Sequence, residues 1–357
     1  PFDRSKEETE RTPGDKPGVS KPPRSSTLPT DPVPPSVAPV GTSIKPECEP
    51  LTTNAPFDTI ILPENVLAPD SVMVPDPAMM MLPVPEIYAY LPDEYVYYQQ
   101  DLGDDNLYTW LHKKPPESFF DEETMILYRK ILDKLILFQT RGIDGLNLEL
   151  CYPHKSFDRQ SMMWDMNYFK YMFLKLLAVP FNERRLENDF ETLADYLLET
   201  GQDYFLYRDF QTANVMVINR EPWFIDYQGG RKGAPQYDVA SLLYDAKIPM
   251  PEQNREQLLE YYIERFCSES EEEKHKFRGH YSGFSMIRLM QALGAFGFRG
   301  LYEQKPTFTD SIVPGVKILS QIIRRAEEHI RLPELFTTIR AIPQSGLFIK
   351  LSDAREK

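Results

Sequence analysis

Asp209 and Asn214 close one short segment, Tyr207-Arg208-Asp209-Phe210-Gln211-Thr212-Ala213-Asn214, and Asp226 follows in Phe224-Ile225-Asp226. The set is carboxylate, amide, carboxylate. Phosphoryl transfer from a magnesium-bound nucleotide calls for these groups. One carboxylate orients an acceptor hydroxyl and takes its proton, and two oxygen ligands hold the metal on the phosphates. Taken singly, Asp209 reads as a turn former, Asn214 as a cap and Asp226 as a strand end. The order of the three, with apolar runs between them, is what points to chemistry.

The elements that must position them are legible. The apolar runs Val215–Ile218 and Trp223–Ile225 predict a β-hairpin turned by Asn219-Arg220-Glu221-Pro222. That hairpin returns Asp226 to the side of Asn214. Gly229-Gly230-Arg231-Lys232-Gly233-Ala234-Pro235 then reads as a Gly-rich turn, leading into a helix capped by Asp238. Upstream, acidic residues Asp121-Glu122-Glu123 open a helix whose apolar face is Met125, Tyr128, Leu132, Leu135 and Phe138, ending at Gly142. Helices are expected at residues 159–178, 183–200, 251–266, 271–298, 310–331 and 333–342. The polar end, residues 346–357, is expected to be a frayed tail.

The segment around Asp209 resembles the aminoglycoside phosphotransferase and choline kinase family, a branch of the protein-kinase-like fold, and in particular a bacterial sugar-kinase-like branch. That family carries His-x-Asp-x4-Asn, an apolar-flanked Ile-Asp-aromatic, and a Gly-x-Pro-x-x-Asp-Leu-Ala-like element. Tyr207 to Asn214, Ile225-Asp226-Tyr227 and Gly233 to Ala240 are similar to these, with Tyr207 in place of the usual His. A second likeness, Val84 to Tyr90 and Tyr95 to Gly103, reads as two strands and a hinge, and the likeness spans residues 83–345. It implies an α+β fold: a mostly helical large lobe with a catalytic β-hairpin, preceded by a small lobe. It implies ATP and Mg2+ as cofactors and a small-molecule hydroxyl acceptor, a sugar or amino sugar. Asp209 is then the catalytic base, with Arg208 beside it in the catalytic loop. Asn214 and Asp226 hold magnesium, and the hinge positions Gln100 and Leu102 hold adenine through backbone groups. Tyr207 packs and orients the loop, Asp238 accepts hydrogen bonds from it, and Trp164 and Asp165 are acceptor contacts.

The small lobe of such a fold should also carry a phosphate-covering Gly-rich hairpin and a lysine. Neither stands out: of the 32 prolines 19 lie in residues 1–90, and residues 1–78 read as a Pro-rich region without a packed core. Lys45, followed by Pro46, is the best lysine candidate, and the small lobe is expected to be incomplete or degenerate. Residues 79–101 form its remnant strands and hinge, and residues 102–345 the helical lobe. Two accounts fit: a disordered arm has replaced most of the small lobe, or the reading frame is wrong upstream of residue 83. A non-catalytic binding module with the same large lobe is the competing class.

A net charge of −14 argues against nucleic acid as partner. Three widely spaced cysteines, Cys48, Cys151 and Cys267, offer neither a disulfide framework nor a zinc site, and fit the cytoplasm. No apolar run reaches membrane-spanning length and no signal peptide is visible.

Overall fold

The computed structural model describes residues 59–61, 82–91, 96–267 and 270–355. The first described sheet has three strands: β1 (Thr59–Ile61), β2 (Ile87–Leu91) and β3 (Val96–Gln99), in the order β1-β3-β2. Both pairings are antiparallel, with Ile60 opposite Tyr97 and Tyr90 opposite Tyr97 on the other edge. Two strands were expected here. The third, Thr59-Ile60-Ile61, comes from within residues 1–78, the region expected to lack a packed core. A three-residue β-branched segment between prolines carries no period to read, and its partner is distant in sequence. Lys45 and its neighbours lie outside the described residues.

The chain then enters the helical part. Asn106 caps α1 (Leu107–His112) through Thr109 N–H at 2.9 Å. Asp121 caps α2 (Glu122–Arg141) through Thr124 N–H at 2.9 Å, and the expected face of α2 is buried throughout. Next come α3 (Arg159–Phe169) and α4 (Glu183–Leu198). The site elements follow: β4 (Tyr204–Leu206), β5 (Val215–Ile218), β6 (Glu221–Phe224), β7 (Arg231–Gly233) and α5 (Gln236–Leu243). The chain closes with α6 (Glu252–Phe266), α7 (Glu271–Phe296), α8 (Pro306–Thr309), α9 (Ile312–Ala326), α10 (Pro333–Ala341) and α11 (Gly346–Arg355). The last corrects the frayed-tail expectation: Phe348 is buried, and that apolar anchor holds the polar end as a helix.

α7 is the central post of the helical part. From Gly279 to Met290 every residue is buried, and the helix packs against α3, α5 and α9. Both α3 and α7 run into π-helical turns, Lys170–Leu174 and Gly297–Tyr302. The two turns touch at Gly297, where an added Cβ would stand 1.9 Å from the Met172 carbonyl oxygen. No described helix is long and apolar enough to cross a membrane.

Candidate active site

The two-stranded ladders β4–β7 and β5–β6 frame the site. In the β5–β6 hairpin Ile218 faces Glu221, so the turn is only Asn219-Arg220. Both have positive φ, 52° and 63°, the geometry of a tight two-residue hairpin turn. The expected four-residue turn is thereby shortened. Pro222 is tolerated in the strand because its partner Val217 turns its N–H away from it, to the Asp105 carbonyl at 2.8 Å.

The hairpin brings the three predicted groups together. Asn214 Nδ2 donates to the Asp209 carbonyl at 2.9 Å and to Asp226 Oδ2 at 3.3 Å. Ile225 N–H closes the frame on the Asn214 carbonyl at 3.1 Å. Asn214 thus uses its amide nitrogen within the protein and leaves its side-chain oxygen for a ligand. Gln228 Nε2 donates to Asp226 Oδ1 at 2.5 Å. Among the described residues there is no cluster of three or more His, Cys, Asp or Glu that could form a metal cage. One carboxylate and one amide oxygen suit a cation that takes its other ligands from phosphate and water, as magnesium does. Arg208 and Asp226 both have positive φ, 83° and 68°, so the backbone on either side of the site is held in a conformation most side chains avoid.

Two carboxylates clamp the loop from opposite directions. The first is Asp238. It lies inside the first turn of α5, whose N-cap is Pro235, so it does not cap the helix as expected. Instead its two oxygens accept Tyr207 N–H at 2.7 Å and Arg208 N–H at 3.0 Å. Behind it Gln139 Nε2 binds the Pro235 carbonyl at 3.0 Å, and Tyr262 Oη donates to Gln139 Oε1 at 2.5 Å. Tyr207 is fully buried among Phe138, Phe210 and Phe224 and donates to the Ile225 carbonyl. Gly230 lets the following turn pass beneath: an added Cβ would meet the Phe205 ring at 2.1 Å.

The second is Asp165 on α3. Its oxygens take Arg208 Nη1 at 2.8 Å and Nη2 at 2.7 Å in a bidentate pair. The guanidinium is also stacked between the rings of Phe157 and Tyr237, 4.7 and 5.1 Å from their centroids. Asp165 was expected at the acceptor. Both its oxygens are engaged by Arg208 and the residue is buried, so the geometry gives it a positioning role. Trp164, its neighbour, is exposed and lies 4.9 Å from the His154 ring, so the two do not form one contact surface.

Arg288 on α7 was not anticipated. It is 8% exposed, and its Nη2 lies 4.0 Å from Asp209 Oδ1. Asp245, also unanticipated, accepts Thr212 Oγ1 at 2.6 Å and steadies the turn before Asn214. Arg231 is buried beside Arg208. Burial, and then that neighbouring cation, push its guanidinium down to about 10. At the hinge, Gln100 N–H is taken by the Glu86 carbonyl at 2.7 Å. The Gln100 carbonyl and Leu102 N–H have no hydrogen-bond partner among the described residues.

Burial pushes the Asp238 carboxyl up to about 7, against the pull of the two N–H groups it accepts. The folded loop therefore holds a proton that the unfolded chain releases near pH 4. With the folded value raised, this contribution to stability is full below about pH 4 and is lost as pH rises through about 7. Between pH 5 and 7 the protein should lose stability relative to Asp238→Asn, which has no carboxyl to titrate, by up to about 1.4 kcal/mol per pH unit. Urea unfolding of both proteins across that range checks this; parallel pH dependence would refute it.

The sequence pattern of the phosphotransferase enzyme family matches residues 67–279, which contain Asp209, Asn214 and Asp226. The chain belongs to that family. The match begins upstream of Pro83, where the likeness had been expected to start. The N-acetylmuramate/N-acetylglucosamine kinase of Neisseria meningitidis serogroup B is 28% identical over 179 residues, covering 48% of this chain and 53% of the relative. The chain thus spans about half the length of that curated relative. Among solved structures, the Plasmodium vivax ethanolamine kinase matches at 12% identity and a TM-score of 0.47, over 68% of this chain and 70% of its own. The choline kinase of Cryptosporidium parvum Iowa II matches at 10% identity and a TM-score of 0.47, over 72% and 77%.

Proposed function

We propose that this chain is an ATP- and magnesium-dependent small-molecule kinase that phosphorylates a hydroxyl of a sugar or amino sugar. The observation that carries this reading is the convergence of Asp209, Asn214 and Asp226 within a phosphotransferase-family segment. The sugar is supported by the acceptors in the name of the Neisseria relative. The scarcity and spacing of cysteines support a cytoplasmic protein.

Asp209, its carboxylate half exposed, takes the acceptor proton. Asn214 Oδ1 and the Asp226 carboxylate hold magnesium, which when bound neutralises charge on the phosphate oxygens. The Gln100 carbonyl and Leu102 N–H hold the adenine edge, and Lys45 remains the candidate for the phosphates. Arg208 does not touch the reactants; with its side chain held by Asp165 and its N–H by Asp238, it fixes the direction of Asp209.

The test is turnover of N-acetylglucosamine with magnesium and ATP, read as ADP release and phosphosugar mass. A protein that neither transfers phosphate nor gains melting temperature with magnesium–ATP would be the non-catalytic alternative. Asp226→Ala should weaken ATP binding by more than about tenfold in magnesium, and little without it. Calorimetric titration with and without the metal checks this, and an unchanged magnesium dependence removes Asp226 from the site.

A further inference from the structure

The phosphotransfer reading leaves one charged group near the reaction unexplained. Arg288 carries its guanidinium into the heart of the helical part, on a stretch of α7 that is otherwise apolar or small. Burying that charge is expensive unless something matches it. Its fixed partners are neutral: Nε donates to Ser241 Oγ at 2.8 Å, and Nη1 donates to Gln291 Oε1 at 2.8 Å. The third nitrogen, Nη2, has only Asp209 Oδ1, at 4.0 Å. That separation is too long for a hydrogen bond. The side chain is therefore held by two neutral anchors, with its remaining donor aimed across a gap at the carboxylate read as the base.

The size of the gap is informative. An oxygen placed about 2.8 Å from both atoms sits at the corner of roughly a right angle, an ordinary geometry for a hydroxyl that accepts one hydrogen bond and donates another. The metal-facing groups, Asn214 and Asp226, are anchored from the β5–β6 hairpin, whereas Ser241 and Gln291 anchor Arg288 from α5 and α7. Arg208, the other arginine near Asp209, is committed to Asp165.

We propose that Arg288 is a catalytic residue that donates a hydrogen bond to the acceptor oxygen whose proton Asp209 removes. This rests on the reading of Asp209 as base. The acceptor O–H bond breaks and its proton passes to the Asp209 carboxylate. A lone pair of that oxygen forms the new bond to the γ-phosphorus. The bond from the γ-phosphorus to the bridging oxygen breaks, its electrons leaving on ADP. Arg288 stabilises the negative charge that grows on the attacking oxygen, in a site that holds the cation ready. Because it acts on the oxygen and not on the rest of the acceptor, it acts equally when water is the nucleophile.

The experiment compares wild type, Arg288→Gln and Arg288→Lys in two assays. One is slow ATP hydrolysis without acceptor, the other transfer to N-acetylglucosamine, each with magnesium–ATP affinity and melting temperature measured alongside. Arg288→Gln should lower hydrolysis and transfer together by about 10²-fold, through kcat, with nucleotide affinity unchanged. Arg288→Lys, which keeps the charge, should recover most of that loss. Unchanged hydrolysis in Arg288→Gln overturns the proposal. So does a loss in nucleotide affinity or melting temperature that parallels the loss in rate, or a lysine variant no better than glutamine. A wild type that hydrolyses ATP but ignores N-acetylglucosamine removes the sugar reading alone, since the hydrolysis arm still decides Arg288. A wild type that neither hydrolyses ATP nor transfers phosphate overturns both.

Discussion

Replacing Asp209 with Asn lowers phosphoryl transfer by about 10²–10⁴-fold while nucleotide binding and folding stay near those of the parent. The reasoning is geometric. The Asp209 carbonyl, not its carboxylate, is what Asn214 Nδ2 binds at 2.9 Å, and Gln211 N–H also uses that carbonyl at 2.8 Å. The loop is therefore held by the backbone of residue 209, and the side chain makes no hydrogen bond among the described residues. An amide keeps the shape and loses the basic oxygen. Single-turnover transfer with bound magnesium–ATP separates the chemical step from binding. A variant with full turnover would show that the acceptor proton leaves by another route.

Replacing Asp165 with Ala has its main effect on stability. It strands the Arg208 guanidinium, stacked between Phe157 and Tyr237, without its bidentate partner. Burial opposes the charge on Arg208, yet Asp165, together with Tyr237 and Asp209, more than offsets it, and the pKa of the guanidinium lies above its ordinary value. Removing one member of a buried pair costs about 3–5 kcal/mol, a melting shift on the order of 10 °C. Replacing both, as Asp165→Ala with Arg208→Met, should restore most of the stability, because no charge is then left unpaired. Activity should stay low in the double variant, since the loop has lost the side chain that orients it. Thermal melting and turnover of the parent and the two variants test this. An Asp165→Ala protein with parental melting would mean that water replaces the carboxylate.

How much of this was legible depended on the kind of signal each part emits. Helix α2 was readable to within a residue because its cap, its acidic first turn and its apolar face all lie in one local stretch. The convergence of Asn214 and Asp226 was readable because a hairpin is local. Its turn was drawn too wide because Pro222 looked like part of a loop, and only pairing shows that it sits where no N–H is needed. Asp238 was recognised as a support of the loop but misplaced on its helix, since Pro235 and Asp238 both resemble starts. Arg288 emitted no usable signal: a helix buried all round has no polar face against which an arginine looks out of place. Asp165 and Trp164 are neighbours in sequence, and nothing local says that one points inward and the other into solvent.

The strained backbone at Asp226, with φ of 68°, bears on the history of the site. A glycine there would relax the main chain at no steric cost, whereas aspartate holds that conformation less comfortably. Selection for stability alone would therefore push the position toward glycine and delete the carboxylate in passing. The slope toward an inactive descendant runs downhill in folding free energy. On the proposed reading, what opposes that drift at position 226 is the magnesium the carboxylate would hold.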